Sequence, residues 1–190
     1  MTSRISVEQL WAMDGAGLHD VLAAGHRIDE DSLVDRVYRG VSLGLPSLVE
    51  RLTWKQFQKV FTREAGQLRG WNVRLVQNGL DGDDHAKERR GARFTFGHFH
   101  VRPTTQSDHP RARGRRVAID RALMLDYGAG GNGLDPIAAM RDPIVAVNID
   151  DAHLILGWSY LQVGPLAIPT PSFFTLEDAG PRDHLAHSKA

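Results

Sequence analysis

The sequence predicts a mainly β protein, a single antiparallel barrel with short helices at its N-terminal end. Segments in which apolar and polar residues alternate follow one another from residue 33 to residue 177, which is typical of half-buried strands. Short turns separate these segments, and the sequence shows no strand–helix–strand repeat of the kind that builds a parallel sheet. About seven or eight strands in this succession favour an up-and-down barrel.

Helices are predicted only before the barrel. Ser6 to Gln9 fits a capping box that opens a short helix, and a second short helix is expected over 16–24, with Gly25 as its end. We therefore assign residues 1–30 to an N-terminal helical segment, 31–178 to the barrel and 179–190 to a flexible tail. The helices are expected to close one end of the barrel.

The strands are predicted from their alternation. Residues 33–43 are extended up to a turn at Leu45–Pro46, whereas Trp54 to Phe61 fits either a helix or a twisted strand. Further strands are expected at 68–76, 91–102, 117–127, 143–149, 153–163 and 172–177.

Composition narrows the functional classes. Lysine plus arginine and aspartate plus glutamate number 23 each, so net charge gives no reason to expect nucleic acid as a partner. The absence of cysteine removes disulfides and thiolate metal sites and fits a cytoplasmic location. No segment approaches the roughly 20 apolar residues of a membrane span, so no membrane insertion is predicted. A homo-oligomer is left open.

The segment 91–102 carries the main site hypothesis. With period two, Phe94, Phe96, His98 and His100 fall on one strand face, which we predict to point into the barrel. Aromatic walls with a few polar groups suit a small-molecule cavity. The His-x-His spacing also permits a metal site at His98 and His100, which is kept as the alternative. Further candidates for the cavity wall are Trp71, Trp158 and Tyr160.

A glycine-rich motif and several aspartates are further candidates for a cofactor site or for catalysis. The run Gly128 to Gly133 matches G-x-G-x-x-G, but no helix long enough for a dinucleotide site follows it, so a mobile loop or cavity flap is predicted and no cofactor. Asp126 ends an apolar strand and is the candidate for acid–base catalysis. Asp142 and Asp150–Asp151 are expected in turns, where carboxylates cap backbone amides.

The order of short motifs is similar to that of the GXWXG/DUF4334 family of calycin-like, lipocalin-like proteins. The motifs are, in sequence, Gly40-Val-Ser-Leu-Gly44, Trp54-Lys-Gln-Phe57, Met124-Leu-Asp-Tyr127, Asp142-Pro-Ile144, Asp150–Asp151, Leu156–Gly157 and Phe173-Phe-Thr-Leu176. Ser42 stands where the family has its signature tryptophan, and Asp126–Tyr127 inverts the family's Tyr-Asp pair. The resemblance implies a calycin-like barrel that binds a small molecule or lipid in the cytoplasm.

These observations predict a protein that binds a small apolar or lipid-like ligand inside the barrel. The alternative is an enzyme that acts in the same cavity. It would be metal-dependent through His98 and His100, or use acid–base chemistry through Asp126.

Overall fold

A computed structural model describes residues 4–44, 55–80, 82–112 and 115–184. Eight strands form the barrel: β1 (Arg36–Leu43), β2 (Gln56–Glu64), β3 (Gln67–Arg74), β4 (Thr95–Pro103), β5 (Leu123–Asp126), β6 (Met140–Asn148), β7 (Asp151–Val163) and β8 (Leu166–Pro181). Each strand pairs antiparallel with the next one in the chain, and β8 returns to pair with β1. The predicted closed, mainly β barrel is confirmed.

Two short hairpins lie outside the barrel, one pairing Glu88–Arg89 with Ala92–Arg93 and the other Arg111–Ala112 with Arg115–Arg116. The ambiguous segment after residue 54 is a strand, while Trp54 and the predicted turn at Leu45–Pro46 lie outside the described residues. The expected strand 117–127 is shorter than predicted, because only 123–126 pairs with its neighbours.

The helices are α1 (Val7–Trp11) and α2 (Gly15–Ala24), and single 3₁₀ turns occur at Glu30–Leu33, Gln106–Asp108 and Pro136–Ala139. The predicted capping box at Ser6 and the end of α2 at Gly25 are confirmed. No helix in the described ranges combines the length and hydropathy needed to cross a membrane.

The barrel wall separates two hydrophobic clusters. The inner core fills the barrel and contains, among others, Tyr38, Phe57, Phe61, Phe99, Ile155 and Phe174. The outer core lies between the wall and the N-terminal helices and contains, among others, Leu18, Leu22, Met124, Trp158, Tyr160 and Phe173. Alternation along each strand sends neighbouring side chains to opposite clusters, as with Phe173 and Phe174.

The predicted position of the helices, at one end of the barrel, is wrong. Leu18 and Leu22 of α2 pack in the outer core, so the helices cover the side of the barrel and do not close its end. Ile28 and Leu33, which follow α2, belong instead to the inner core. The connection between the helices and β1 therefore fills the end of the barrel at which β1 begins.

A bulge at Gly97 changes the face assignment of β4. The pairing of β3 with β4 shifts register between Gly70 and Asn72, and Gly97 has a φ of 53°. A Cβ built on Gly97 would lie 2.4 Å from Ile137 Cδ1, so a larger residue does not fit there. Beyond the bulge, Phe99 and Val101 belong to the inner core. The predicted inward row at His98 and His100 is therefore wrong, because period two breaks at a bulge.

The glycine-rich loop after β5 packs against this bulge. The Asn132 side chain donates to the carbonyls of His98 and Tyr127, both at 2.7 Å, and accepts the His98 N–H at 3.0 Å. A Cβ on Gly130 would lie 1.8 Å from the His98 carbonyl oxygen, so the loop approaches β4 as only glycine allows. These contacts attach the loop to β4, while its predicted mobility stays a prediction.

The last strand extends past its predicted ends. The prolines at 169 and 171 lie within β8, in a part that pairs with β7 while β1 begins pairing only at Phe173. Proline has no backbone N–H group and is tolerated where one edge of a strand has no hydrogen-bonded neighbour. At the other end β8 runs to Pro181, and Arg182 forms an ion pair with Asp35. Of the predicted tail, 185–190 lie outside the described residues.

Candidate functional site

A cavity of about 210 Å³ opens at the end of the barrel where β1 ends and β2 begins. Its apolar wall comes from side chains on five different elements: Phe57, Phe96, Ile137, Met140 and Phe174. Its polar lining comes from Ser42, Lys59, Asn72, Tyr127, Asp142, Ser159 and Ser172. An apolar pocket with a few convergent polar groups is the usual form of a small-molecule site.

Lys59 lies at the inner end of this cavity. Its side chain is 3% exposed, and its Nζ donates to Asn72 Oδ1 at 2.9 Å and to the Tyr127 hydroxyl at 2.5 Å. Asp142 Oδ2 lies 3.4 Å from the same nitrogen. A buried ammonium group requires this kind of pairing, since an isolated charge in the barrel would be strongly destabilising.

Four aromatic rings surround the Lys59 ammonium group. The distances from Nζ to the ring centroids are 4.9 Å for Phe174, 5.2 Å for Phe99 and Tyr127, and 5.3 Å for Phe57. Separations below about 6 Å permit cation–π attraction. The rings therefore stabilise a positive charge at Nζ in the place of water.

Tyr127 connects Lys59 to Asp142. Its hydroxyl donates to Asp142 Oδ2 at 2.9 Å while it accepts from Lys59. Asp142 is 3% exposed, and its other oxygen, Oδ1, is buried without a hydrogen-bond partner among the residues that the structure describes. A buried acceptor without a donor is costly, so Oδ1 is a position at which a ligand donor would be favourable.

Burial shifts the pKa values of two of these groups in opposite directions. It lowers the pKa of the Lys59 ammonium group below its ordinary value, and the nearby Asp142 carboxylate opposes this shift without overcoming it. Burial also raises the pKa of the Tyr127 hydroxyl well above its ordinary value, and Asp142 adds to that effect. At neutral pH Tyr127 keeps its proton, and Lys59 releases one more readily than a surface lysine does.

The strand pattern places these groups together. Phe57, Lys59 and Phe61 alternate along β2, so a lysine on an apolar face must point into the barrel. Asp142 lies near the start of β6, where the chain pairs with Leu125, and is not in a turn as expected. Asn72 lies two residues before the end of β3, and Tyr127 follows the last residue of β5, so both lie near the same opening.

Of the predicted wall residues, Phe96 lines the cavity. Trp71 packs outside the barrel with Val37, Val60 and Val73, while Trp158 and Tyr160 belong to the outer core. The placement of these three residues in the cavity wall is therefore wrong. The reason is alternation: on β3 and β7 the inward positions belong to their neighbours, including Asn72 and Ser159.

The remaining candidates of the segment 91–102 also lie outside the cavity lining. Phe94 lies between the guanidinium groups of Arg74 and Arg89, at 5.8 and 5.4 Å from their central carbons. His98 and His100 are half-buried on the opposite face from Phe99. Across the described ranges, no group of three or more histidine, aspartate or glutamate side chains is placed to hold a metal ion.

The Asp126 side chain is held by backbone N–H groups and two arginines, and its role is structural. Its carboxylate accepts the backbone N–H groups of Gly128 and Ala129 and pairs with Arg102 and Arg141 at 3.3 and 3.2 Å. It does not line the cavity. The carboxylate therefore fixes the start of the glycine-rich loop and is not placed for acid–base chemistry in the barrel.

A second and larger depression, of about 820 Å³, lies outside the barrel between α2 and the first part of β8. Its rim includes His19, Phe173 and Pro171, with Gly44 at the point where the described chain stops. Among the described residues, its lining also includes the exposed charged residues Asp20 and Arg116, but no buried ion pair like that of Lys59 and Asp142. The buried polar groups of the smaller cavity therefore make it the better candidate for a ligand site.

Comparison with known proteins gives no further guidance. No protein-family model matches the chain, and no curated protein is significantly similar to it. The assignment of function therefore rests on the cavity itself.

Proposed function

We propose that this protein binds a small, largely apolar ligand inside the barrel, with a polar end directed at Lys59, Tyr127 and Asp142. The observation that carries the proposal is a cavity with aromatic walls and one buried ammonium group at its inner end. Binding would cover the exposed apolar wall and bring a partner to the unpaired Asp142 Oδ1.

The size of the cavity favours a compact ligand over a lipid chain. Pockets for drug-sized ligands usually measure about 300–1,000 Å³. This cavity, at about 210 Å³, lies below that range. A single aromatic ring or a short aliphatic chain with one polar group is the size that it supports.

The charged groups in the cavity favour a ligand whose polar end is neutral. The Lys59 ammonium and the Asp142 carboxylate neutralise each other, and the unpaired Asp142 Oδ1 would repel a ligand carboxylate. A hydroxyl group would donate to Oδ1, and a carbonyl oxygen would accept from Lys59 or Tyr127. The ligand class is therefore a small alcohol, aldehyde or ketone with an apolar body.

The relationship to the GXWXG/DUF4334 proteins stays a proposal, supported by the eight-strand meander. Ser42 lines the cavity at the place where those proteins have their signature tryptophan, and a smaller side chain there leaves room for a ligand. The cytoplasmic location stays a prediction from the cysteine-free sequence.

Two phenylalanines on the same segment provide a matched test. Phe96→Ala should weaken the binding of 4-fluorobenzyl alcohol about tenfold, the effect of losing about 1.4 kcal/mol of apolar contact. Phe94→Ala should weaken the binding much less, because Phe94 does not line the cavity and reaches it only through its ring contact with Phe96. Fluorine NMR titrations measure both dissociation constants. Equal affinities in the two variants, or no saturable binding in the wild type, would contradict the proposal.

A further inference from the structure

Lys59 is the amine that the cavity presents to a ligand. Among the lysines within the described residues, Lys55 and Lys87 are exposed on the surface, and only Lys59 lines the cavity. Lys59 lines the same cavity as the apolar side chains of Phe96 and Met140. A ligand that fills the cavity with its polar end inward therefore places that end against a primary amine.

We propose that Lys59 is a nucleophile that captures a small aldehyde or ketone as an imine. The inference rests on the proposed function and narrows its ligand class from neutral polar compounds to carbonyl compounds. A primary amine at the inner end of an apolar cavity is the arrangement that forms such adducts in proteins.

The hydrogen-bond chain from Lys59 through Tyr127 to Asp142 provides a route for the proton that must leave the amine. Nζ donates to the Tyr127 hydroxyl at 2.5 Å, and that hydroxyl donates to Asp142 Oδ2 at 2.9 Å. Transfer along the chain leaves a neutral amine and a neutral carboxylic acid. Asp142 is the proton acceptor and Tyr127 the relay, which regains a proton as it gives one up.

The addition step then balances without another reactant. The Lys59 nitrogen pair forms a bond to the carbonyl carbon, the C=O π bond opens, and the oxygen takes a proton from the nitrogen to give a carbinolamine. The carbon–oxygen bond then breaks, and the hydroxyl leaves as water with the proton held by Asp142. The products are an iminium ion, a carboxylate and one water molecule, so the net charge is the same as at the start.

The surroundings of Nζ suit both the intermediate and the product. The unpartnered Asp142 Oδ1 is an acceptor for the carbinolamine hydroxyl. The four rings within 5.3 Å of Nζ, which surround the ammonium, would surround the iminium charge in the same way. The site is therefore organised for a cation at Nζ before and after the reaction.

Reductive trapping tests the inference on the wild-type protein. The protein is incubated with 4-fluorobenzaldehyde and sodium cyanoborohydride at pH 7, and the adducts are counted by intact mass and located by peptide mapping. We expect one saturable adduct at Lys59, formed at least about tenfold faster than the adduct at Lys55, because the cavity holds the bound aldehyde beside the amine. Labelling at Lys55, Lys87 and the N-terminal amine without Lys59 would overturn the inference.

The pH dependence gives a second readout. The trapping rate at Lys59 should change less between pH 9 and pH 7 than that of the free compound Nα-acetyllysine, because burial lowers the pKa of Lys59. For an unperturbed lysine side chain the unprotonated fraction falls about tenfold per pH unit below about 10.4. An equal decline for Lys59 and the free compound would contradict a buried, reactive amine.

Two variants separate the roles. Asp142→Asn removes the proton acceptor and keeps the amine, so trapping at Lys59 should slow. The double variant Lys59→Met, Asp142→Asn removes both charges together and should form no adduct in the cavity. If the wild type binds the alcohol but forms no adduct at Lys59, the imine is excluded and the binding proposal stands. If neither compound binds, the binding proposal fails as well.

Discussion

Lys59→Met should lower the free energy of unfolding by about 3–5 kcal/mol, the usual loss when one partner of a buried ion pair is removed. The substitution leaves the Asp142 carboxylate, 3% exposed, without its countercharge. It also removes the cation that the four surrounding rings stabilise. Urea denaturation of the variant and the wild type at pH 7 measures the difference.

Two controls identify the ion pair as the cause. Lys55→Met changes an exposed lysine two residues before Phe57, where the inner face of β2 begins, and should alter stability by less than about 0.5 kcal/mol. Adding Asp142→Asn to Lys59→Met removes the stranded charge and should restore part of the lost stability. A Lys59→Met variant as stable as Lys55→Met would show that Lys59 is solvated, against the buried position described above.

Trp158→Ala should destabilise the protein by about 3–5 kcal/mol, as expected for a fully buried tryptophan. The Trp158 side chain is 0% exposed and packs in the outer core against His19 and Phe173, and its indole N–H donates to the Thr170 carbonyl at 2.8 Å. Trp158→Phe keeps much of the ring packing and should cost less. Thermal and urea unfolding measure both effects.

Trp158→Ala also distinguishes the function of the outer core from that of the cavity wall. Because Trp158 lies on the outer side of the wall, folded Trp158→Ala protein should retain its affinity for fluorobenzyl alcohol. Phe96→Ala should show the reverse, with weaker binding and a smaller loss of stability. Loss of binding in Trp158→Ala at unchanged stability would return Trp158 to the cavity wall, where the sequence alone had placed it.

The sequence predicts the elements of this fold better than it predicts their faces. Alternation and turn residues located the strands, and the cap residues Ser6 and Gly25 located the helices, because these features are local. The alternation of residues predicts the wrong face for part of β4, because Gly97 forms a bulge and period two does not continue through it.

The site was missed for a related reason. Lys59 lies between Phe57 and Phe61 at the same spacing, and a charge inside an apolar row is the pattern that would have identified it once the segment was known to be a strand. Asp142 precedes a proline and was therefore expected in a turn, although the two residues lie within β6. As large aromatic residues, Trp158 and Tyr160 are predicted to line the cavity, but they are buried in the outer core instead.

One measurement tests the central claim, that the inside of the barrel is a ligand site. The chain has four methionines, and Met140 lines the cavity whereas Met124 is buried in the outer core. In protein labelled with carbon-13 at the methionine methyl groups, 4-fluorobenzyl alcohol should shift the Met140 signal saturably and leave that of Met124 in place. A Met140 signal that does not move up to the solubility limit of the alcohol, or equal shifts at both methionines, would contradict binding in the barrel.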